Sequence, residues 1–203
     1  TASGRQMKGM VVFKGEANNN LYFYTFGFSN HFRREKTGKP KGTIARRELP
    51  TLPNELTYRC QEKAWFDEQV MVDWVHEILT PYVANVPRGI VPIILLDDFT
   101  VHKTGRVVGM IQRLGVEVEF IPPGCTGMVQ PVDVGYNKSL KANVRKQYRE
   151  WMFSQDTNMI IPCPSRQQVS EWIIGAMADI SDVTVRNAWR KSGFSYFPEE
   201  PKE

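Results

Sequence analysis

The chain has 203 residues, 41% of them apolar and 24% charged, with a formal net charge of +4. That length supports one well-buried core more readily than two small ones, and the proportions are those of an ordinary globular protein. No apolar run approaches the roughly 18–20 residues of a membrane-spanning helix, so no membrane partner is expected, and the start resembles neither a signal peptide nor a lipidation site. Cys60, Cys125 and Cys163 are odd in number and far apart. They argue against a disulfide framework or a zinc site and for a reducing, intracellular compartment. The first residue is Thr1, so the chain is expected to be a piece of a longer protein. A pI near 9.0 adds a mild attraction to polyanions.

Met7 to Lys14 predicts a short strand and Leu21 to Phe28 an aromatic strand or hairpin arm, with Gly15 and Asn18-Asn19-Asn20 supplying the turn. From His31 to Arg47 the chain is basic and punctuated by Gly38, Pro40 and Gly42, which predicts a surface loop. Another strand is expected over Leu56–Gln61. Phe66, Val70, Trp74 and Ile78 form the apolar stripe of a helix from about Asp67 to Thr80, stopped by Pro81. Ile90 to Asp97 is apolar on both faces, the pattern of a central, covered strand. Thr104–Leu114 reads as a helix with Val107, Val108, Ile111 and Leu114 inward, ended by Gly115. Val116–Ile121 alternates as a half-buried strand. Strand, helix and strand together predict a right-handed parallel βαβ unit. A long helix should follow Asp133 to about Phe153. Ser165 with Gln168 suggests a capping box for a helix carrying Val169, Trp172, Ile173, Met177 and Ile180. A last helix is expected over roughly Asp182–Lys191, ending at Gly193.

The chemistry concentrates at Asp97 and Asp133. Asp97 ends an apolar strand, and ligands of open α/β sheets bind beyond the carboxyl ends of strands. One helix and one parallel strand separate the two acids, so the second strand ends on the same edge and its loop delivers Asp133 above it. Two converging carboxylates repel unless a cation lies between them. Mg²⁺ suits such oxygen ligands, and two such ions about 3.5–4 Å apart can drive phosphodiester cleavage. Either acid alone also fits a lesser role, Asp97 as a turn or cap residue and Asp133 as a first-turn helix acid. Phosphatases with an attacking aspartate need Asp-x-Asp, whereas Asp97 and Asp98 are adjacent. On the following helix Lys138, Lys141, Arg145 and Arg149 line one face, with Leu140, Val144, Tyr148 and Met152 on the core face. Asp133, Asn137 and Lys141 form an adjoining stripe. A basic stripe running on from an acidic site suits a phosphate backbone, although a solvated charged face has the same pattern. His102, five residues after Asp97, has the position to orient a carboxylate or touch a phosphate, although an ordinary loop histidine fits equally well.

These residues resemble a known family. Leu95-Leu96-Asp97-Asp98 with His102 resembles the LLDN…H strand of pogo/Tigger-type transposases, members of the DDE superfamily endonucleases that include the domesticated centromere protein B. The segment IPPGCTGMVQPVDVGYNKSLKANVRKQYREWM resembles the family's Gln-Pro-x-Asp block, and EKAWFDEQVMVDWVHEILTPYV, MKGMVVFKG and VTVRNAWRKSGFS resemble further family segments. The resemblance implies an α/β, RNase H-like mixed sheet flanked by helices over residues 1–155, with residues 156–203 as a helical extension of the same domain. It implies that Asp97 and Asp133 are the second and third acids of a catalytic triad holding two Mg²⁺ or Mn²⁺ ions for DNA cleavage and strand transfer. Lys138, Lys141, Arg145 and Arg149 would then hold DNA, and Asp98, His102, Gln130 and Asn137 would be accessory. A nuclear location and a homodimer in a synaptic complex are further implications. The chain departs from the pattern in three places. Asp98 stands where the family usually has Asn, and the basic Asn18–Arg47 stretch is longer than the usual connection. The first acid, expected on a strand before Met7, is absent, and neither Glu16 nor Asp67 has the context to replace it. The 203 residues alone are therefore expected to be inactive. The alternative is a domesticated, non-catalytic module that keeps the fold for binding DNA or protein.

Overall fold

The computed structural model describes residues 1–14, 42–155 and 163–194. The predicted aromatic strand at Leu21–Phe28, its turn, and most of the basic stretch lie outside these residues. Two parallel two-stranded sheets form the framework, β1 (Gly9–Lys14) with β2 (Leu56–Gln61) and β3 (Ile93–Leu96) with β4 (Glu117–Phe120). The α/β class expected from the sequence is present. Among the described residues both sheets are parallel, so the expected mixed sheet is not seen there.

Strand β1 is covered on both faces, as its unbroken Met-Val-Val-Phe run requires. Met10 and Val12 pack on Val70 and Ile78, while Val11 and Phe13 pack on Val169, Trp172 and Ile173. The first cover is a composite helix: α1 (Glu68–Trp74), a wide π-type turn (Val75–Leu79) and α2 (Thr80–Ala84). Pro81 does not stop this helix, contrary to expectation. The wide turn shifts the ladder, with Thr80 N–H bonding Val75 O, and Pro81 then falls in the first turn of α2, where a missing donor is tolerated. The second cover is α5 (Asn137–Ser154) packed on α6 (Arg166–Ala178). Helix α7 (Asp182–Ser192) joins them around Leu140, Ala176, Ile180 and Val185.

Ser165 caps α6 by accepting the Gln168 N–H at 3.0 Å, but the Gln168 side chain turns to Glu171, so the predicted box is half made. Gly193, at φ +80°, ends α7 as expected. The end of the expected basic loop is helical instead. Ile44–Glu48 forms a helical turn anchored by buried Ile44, and Arg166 clamps Glu48 at 2.9 Å.

The predicted strand–helix–strand unit is present, with its two strands parallel. Helix α3 (Gly105–Arg113), capped by the Thr104 hydroxyl, buries Val107 and Ile111 completely and turns off at Gly115, at φ +77°. These side chains join Leu96, Val116, Met71 and Val75 in one core. Strand β3, however, is shorter than expected and pairs only with β4 among the described residues. Its approach is open, with Ile90, Val91 and Ile93 each more than half exposed. The core under α1 and α3 takes Ile94 and Leu96. No described element covers Ile93 from the other side.

Candidate functional site

The parallel register sets Leu96 beside Phe120, and the Ile121 N–H bonds Leu96 O at 2.8 Å, so β3 and β4 end together. Asp97 leaves β3 at this edge. Its Oδ1 accepts the Phe99 N–H at 3.2 Å, a local turn that ties the carboxylate to the segment leaving the strand. The same oxygen lies 2.7 Å from His102 Nδ1, off the line of a ring N–H, so the contact is electrostatic more than an aligned hydrogen bond. His102 comes from a short 3₁₀ turn (Thr100–Lys103), and its ring meets Phe99 edge-on at 5.5 Å. Asp97 keeps a third of its side-chain surface open. Asp98 points elsewhere, into an ion pair with Lys103. Lys103 also sits over the Phe120 ring at 5.8 Å.

Asp133 is built by the segment that leaves β4. A short helix α4 (Thr126–Val129) is followed by a π-type turn (Val132–Tyr136) that runs without a break into α5. The Gln130 carbonyl accepts both Asp133 N–H, at 3.0 Å, and Val134 N–H, at 2.9 Å. Gly135 fixes the turn against α7, because a Cβ there would lie 2.7 Å from Ala188 Cβ. Tyr136 donates to Gln6 Oε1 at 2.7 Å, and Gln6 in turn donates to Met177 O and Ile180 O. Burial pushes the Tyr136 hydroxyl up to about 12, which keeps it a neutral donor. The exposed Asp133 carboxylate accepts from Asn137 Nδ2 at 2.7 Å, one turn on.

Two groups thus assemble, Asp97 with His102 and Asp133 with Asn137. Among the described residues no hydrogen bond or ion pair joins one group to the other, and no set of three or more His, Cys, Asp or Glu gathers around one point. Two side-chain oxygens flanking Asp133, Gln130 Oε1 and Asn137 Oδ1, are buried without a partner. Unmet carbonyl oxygens beside a carboxylate are the donors a hard divalent cation takes. The residues present therefore fit such an ion. On α5, Lys138, Arg145 and Arg149 are exposed and Lys141 is half-buried. Leu140 is fully buried and Val144 packs in two cores, as expected. Tyr148 is more open, edged against Trp172 at 5.8 Å.

Asp67 is accounted for structurally, since it caps α1 by accepting Val70 N–H at 2.9 Å and also holds Gln61. The sequence did not single out the Phe99 backbone donor or the bracing of Asp133 through Tyr136 and Gln6. The first follows from the Asp-x-Phe turn spacing. The second joins residues too distant in the chain to be legible.

A family profile described as DDE superfamily endonuclease matches residues 1–189. The chain belongs to that family. Among relatives of this DDE endonuclease domain is the mouse (Mus musculus) "Pogo transposable element with KRAB domain", 27% identical over 147 residues, covering 70% of the chain and 24% of that protein. Its human (Homo sapiens) namesake is 27% identical over 154 residues, covering 73% of the chain and 25% of the relative. The mouse "Jerky protein" is 25% identical over 163 residues, covering 76% and 27%. The chain spans about a quarter of the length of these relatives. No solved structure matches it.

Proposed function

We propose that this DDE endonuclease domain nicks and joins DNA, with Asp97 and Asp133 as divalent-metal ligands. The observation that carries the reading is the pair of open carboxylates, each braced by its own neighbours, on segments leaving adjacent strand ends. The RNase H-like sheet is proposed to be completed beside the uncovered edge of β3, by a strand of the whole protein bearing the remaining acid. The apolar Ile90, Val91 and Ile93 support that position, because such residues otherwise cost stability in water. Residues 156–203 are proposed to belong to the same domain as 1–155, since α6 and α7 share cores with β1 and α5.

In this reading the His102 ring and the Phe99 N–H hold the Asp97 carboxylate in one orientation, leaving its other oxygen open. Asn137 does the same for Asp133, and its amide oxygen together with that of Gln130 widens the oxygen-donor set. Mg²⁺ or Mn²⁺, two ions in the complete site, would supply activation of a water and stabilisation of the leaving oxygen. Lys138, Lys141, Arg145 and Arg149 would grip the DNA backbone along α5, which fixes position without reading sequence. Action on chromosomal DNA implies the nucleus, and joining of two ends implies a homodimer in a synaptic complex.

The test is Mg²⁺-dependent nicking of supercoiled DNA by the intact protein. Asp97→Ala or Asp133→Ala should each lower the rate by at least about a hundredfold while leaving the thermal midpoint within a few degrees, the scale on which losing charge stabilisation at a reacting centre is felt. Nicking unchanged in either variant overturns the assignment. A wild-type protein that binds DNA in EDTA with strong salt dependence but never nicks would favour the non-catalytic, domesticated module.

A further inference from the structure

The segment between β4 and Asp133 has an unusual surface. No residue from Ile121 to Val132 is charged, in a chain where 24% are, yet much of the segment lies open to solvent. Pro122, Pro123, Gly124 and Gly127 are exposed, Met128 is 67% exposed and Val132 44%. A Cβ added at Gly124 or Gly127 would meet nothing within 4 Å, so the tip stands clear of the body. Single apolar side chains on a surface are ordinary, but an uncharged, projecting tip that shows two of them beside an acidic site is not.

Nor is the tip a loose loop. Gly124, at φ +78°, turns the chain after two prolines, and the Cys125 N–H bonds Pro122 O at 3.1 Å. The Met128 and Val129 N–H groups both bond Cys125 O, at 2.9 and 3.0 Å, and the Gln130 N–H bonds Thr126 O at 3.0 Å. Helix α4 is therefore a knob held by its own backbone, with the Met128 side chain displayed on it. Met128 precedes Asp133 by five residues, and the Gln130 carbonyl that ends α4 accepts the Asp133 N–H. Knob and acid-bearing turn thus share one backbone junction, and a ligand as large as DNA that reaches Asp133 also meets the knob.

We propose that Met128 is an apolar wedge that enters a base step of the DNA next to the phosphate held at Asp133 and unstacks that step. This deepens the DNA-cleaving reading and rests on it. A segment built to grip phosphates would carry cations, as α5 does with Lys138 and Arg149, whereas this tip has none. A thioether gains nothing from a phosphate, but between two bases it leaves water, and methionine is among the side chains that open and kink duplexes in this way.

Fluorescence anisotropy of the intact protein in EDTA, with a labelled, fully paired duplex and the same duplex carrying one mismatched pair, tests it. Unstacking costs less at a mismatch, so wild-type protein should bind the mismatched DNA about tenfold more tightly. Met128→Ser should reduce that preference below about twofold, and Met128→Leu, which keeps an apolar wedge, should retain it. No preference in the wild type, or one that survives Met128→Ser, overturns the wedge while leaving the DNA-cleaving reading intact. A change of oligomeric state in Met128→Ser with the preference kept overturns it too, and makes the knob a contact between protein chains. If wild-type protein binds neither DNA, the DNA-cleaving reading falls and the wedge with it.

Discussion

The two small sheets of this domain are built differently. Strand β1 is sealed between α1 and its continuation on one side and α5–α6 on the other, with Val11, Val12 and Phe13 each no more than 3% exposed. Strand β3 has an equally apolar sequence, yet Ile93 is 56% exposed and, among the described residues, only the α1–α3 side is covered. The sealed half supplies stability, and the open half carries Asp97. On the proposed reading Asp97 would meet an ion and a DNA strand, which an accessible position allows, and its orientation is set locally by Phe99 and His102.

That contrast has a direct measure in urea unfolding. Phe13→Ala should cost about 3–5 kcal/mol, the usual loss for a large aromatic in a closed core. In the 203-residue chain by itself, Ile93→Thr should cost within about 0.5 kcal/mol, as for an exposed position. A large loss from Ile93→Thr would mean that the β3 edge is covered in solution, and would put the completing element already in place. The π-type turn under Asp133 gives an intermediate effect. Gly135→Ala forces a contact on Ala188 and should cost about 1–3 kcal/mol, with weaker metal binding, because the turn that presents Asp133 must shift.

The smallest expected effect concerns Tyr136, whose hydroxyl is raised from 10.0 to about 12 by burial. The folded state then holds this proton more tightly than the unfolded chain. Its contribution to stability is full below pH 10 and is lost as pH rises through about 12. Tyr136→Phe should flatten that alkaline fall in thermal midpoint. An unchanged slope would place the hydroxyl in water rather than on Gln6.

Much of this was legible in the chain. Periodicity and turn residues located β3, α3 and β4 and the helices of the carboxyl half, because Gly115, Ser165 and Gly193 act locally at helix ends. The errors came from effects that periodicity does not carry. Pro81 signalled a stop, but the wide Val75–Leu79 turn accommodated it. Ile90–Leu96 has the composition of a covered strand and is only half covered here. Residues Ile44–Glu48 lay inside a basic run, and the helical turn there depends on burial of Ile44 and a clamp from distant Arg166. At the site, Asp133 and Asn137 could be paired from their one-turn spacing, whereas Gln6 and Tyr136 meet only through the fold.

The central claim is that Asp97 and Asp133 serve one metal site, and a double-mutant cycle in Mn²⁺ affinity of the intact protein tests it, read by electron paramagnetic resonance. If both carboxylates hold a shared ion, Asp97→Asn and Asp133→Asn should each weaken binding by tenfold or more, and the double variant should lose clearly less than the product of the two. Losses that multiply independently, or an Asp133→Asn variant that binds like wild type, would contradict a shared site.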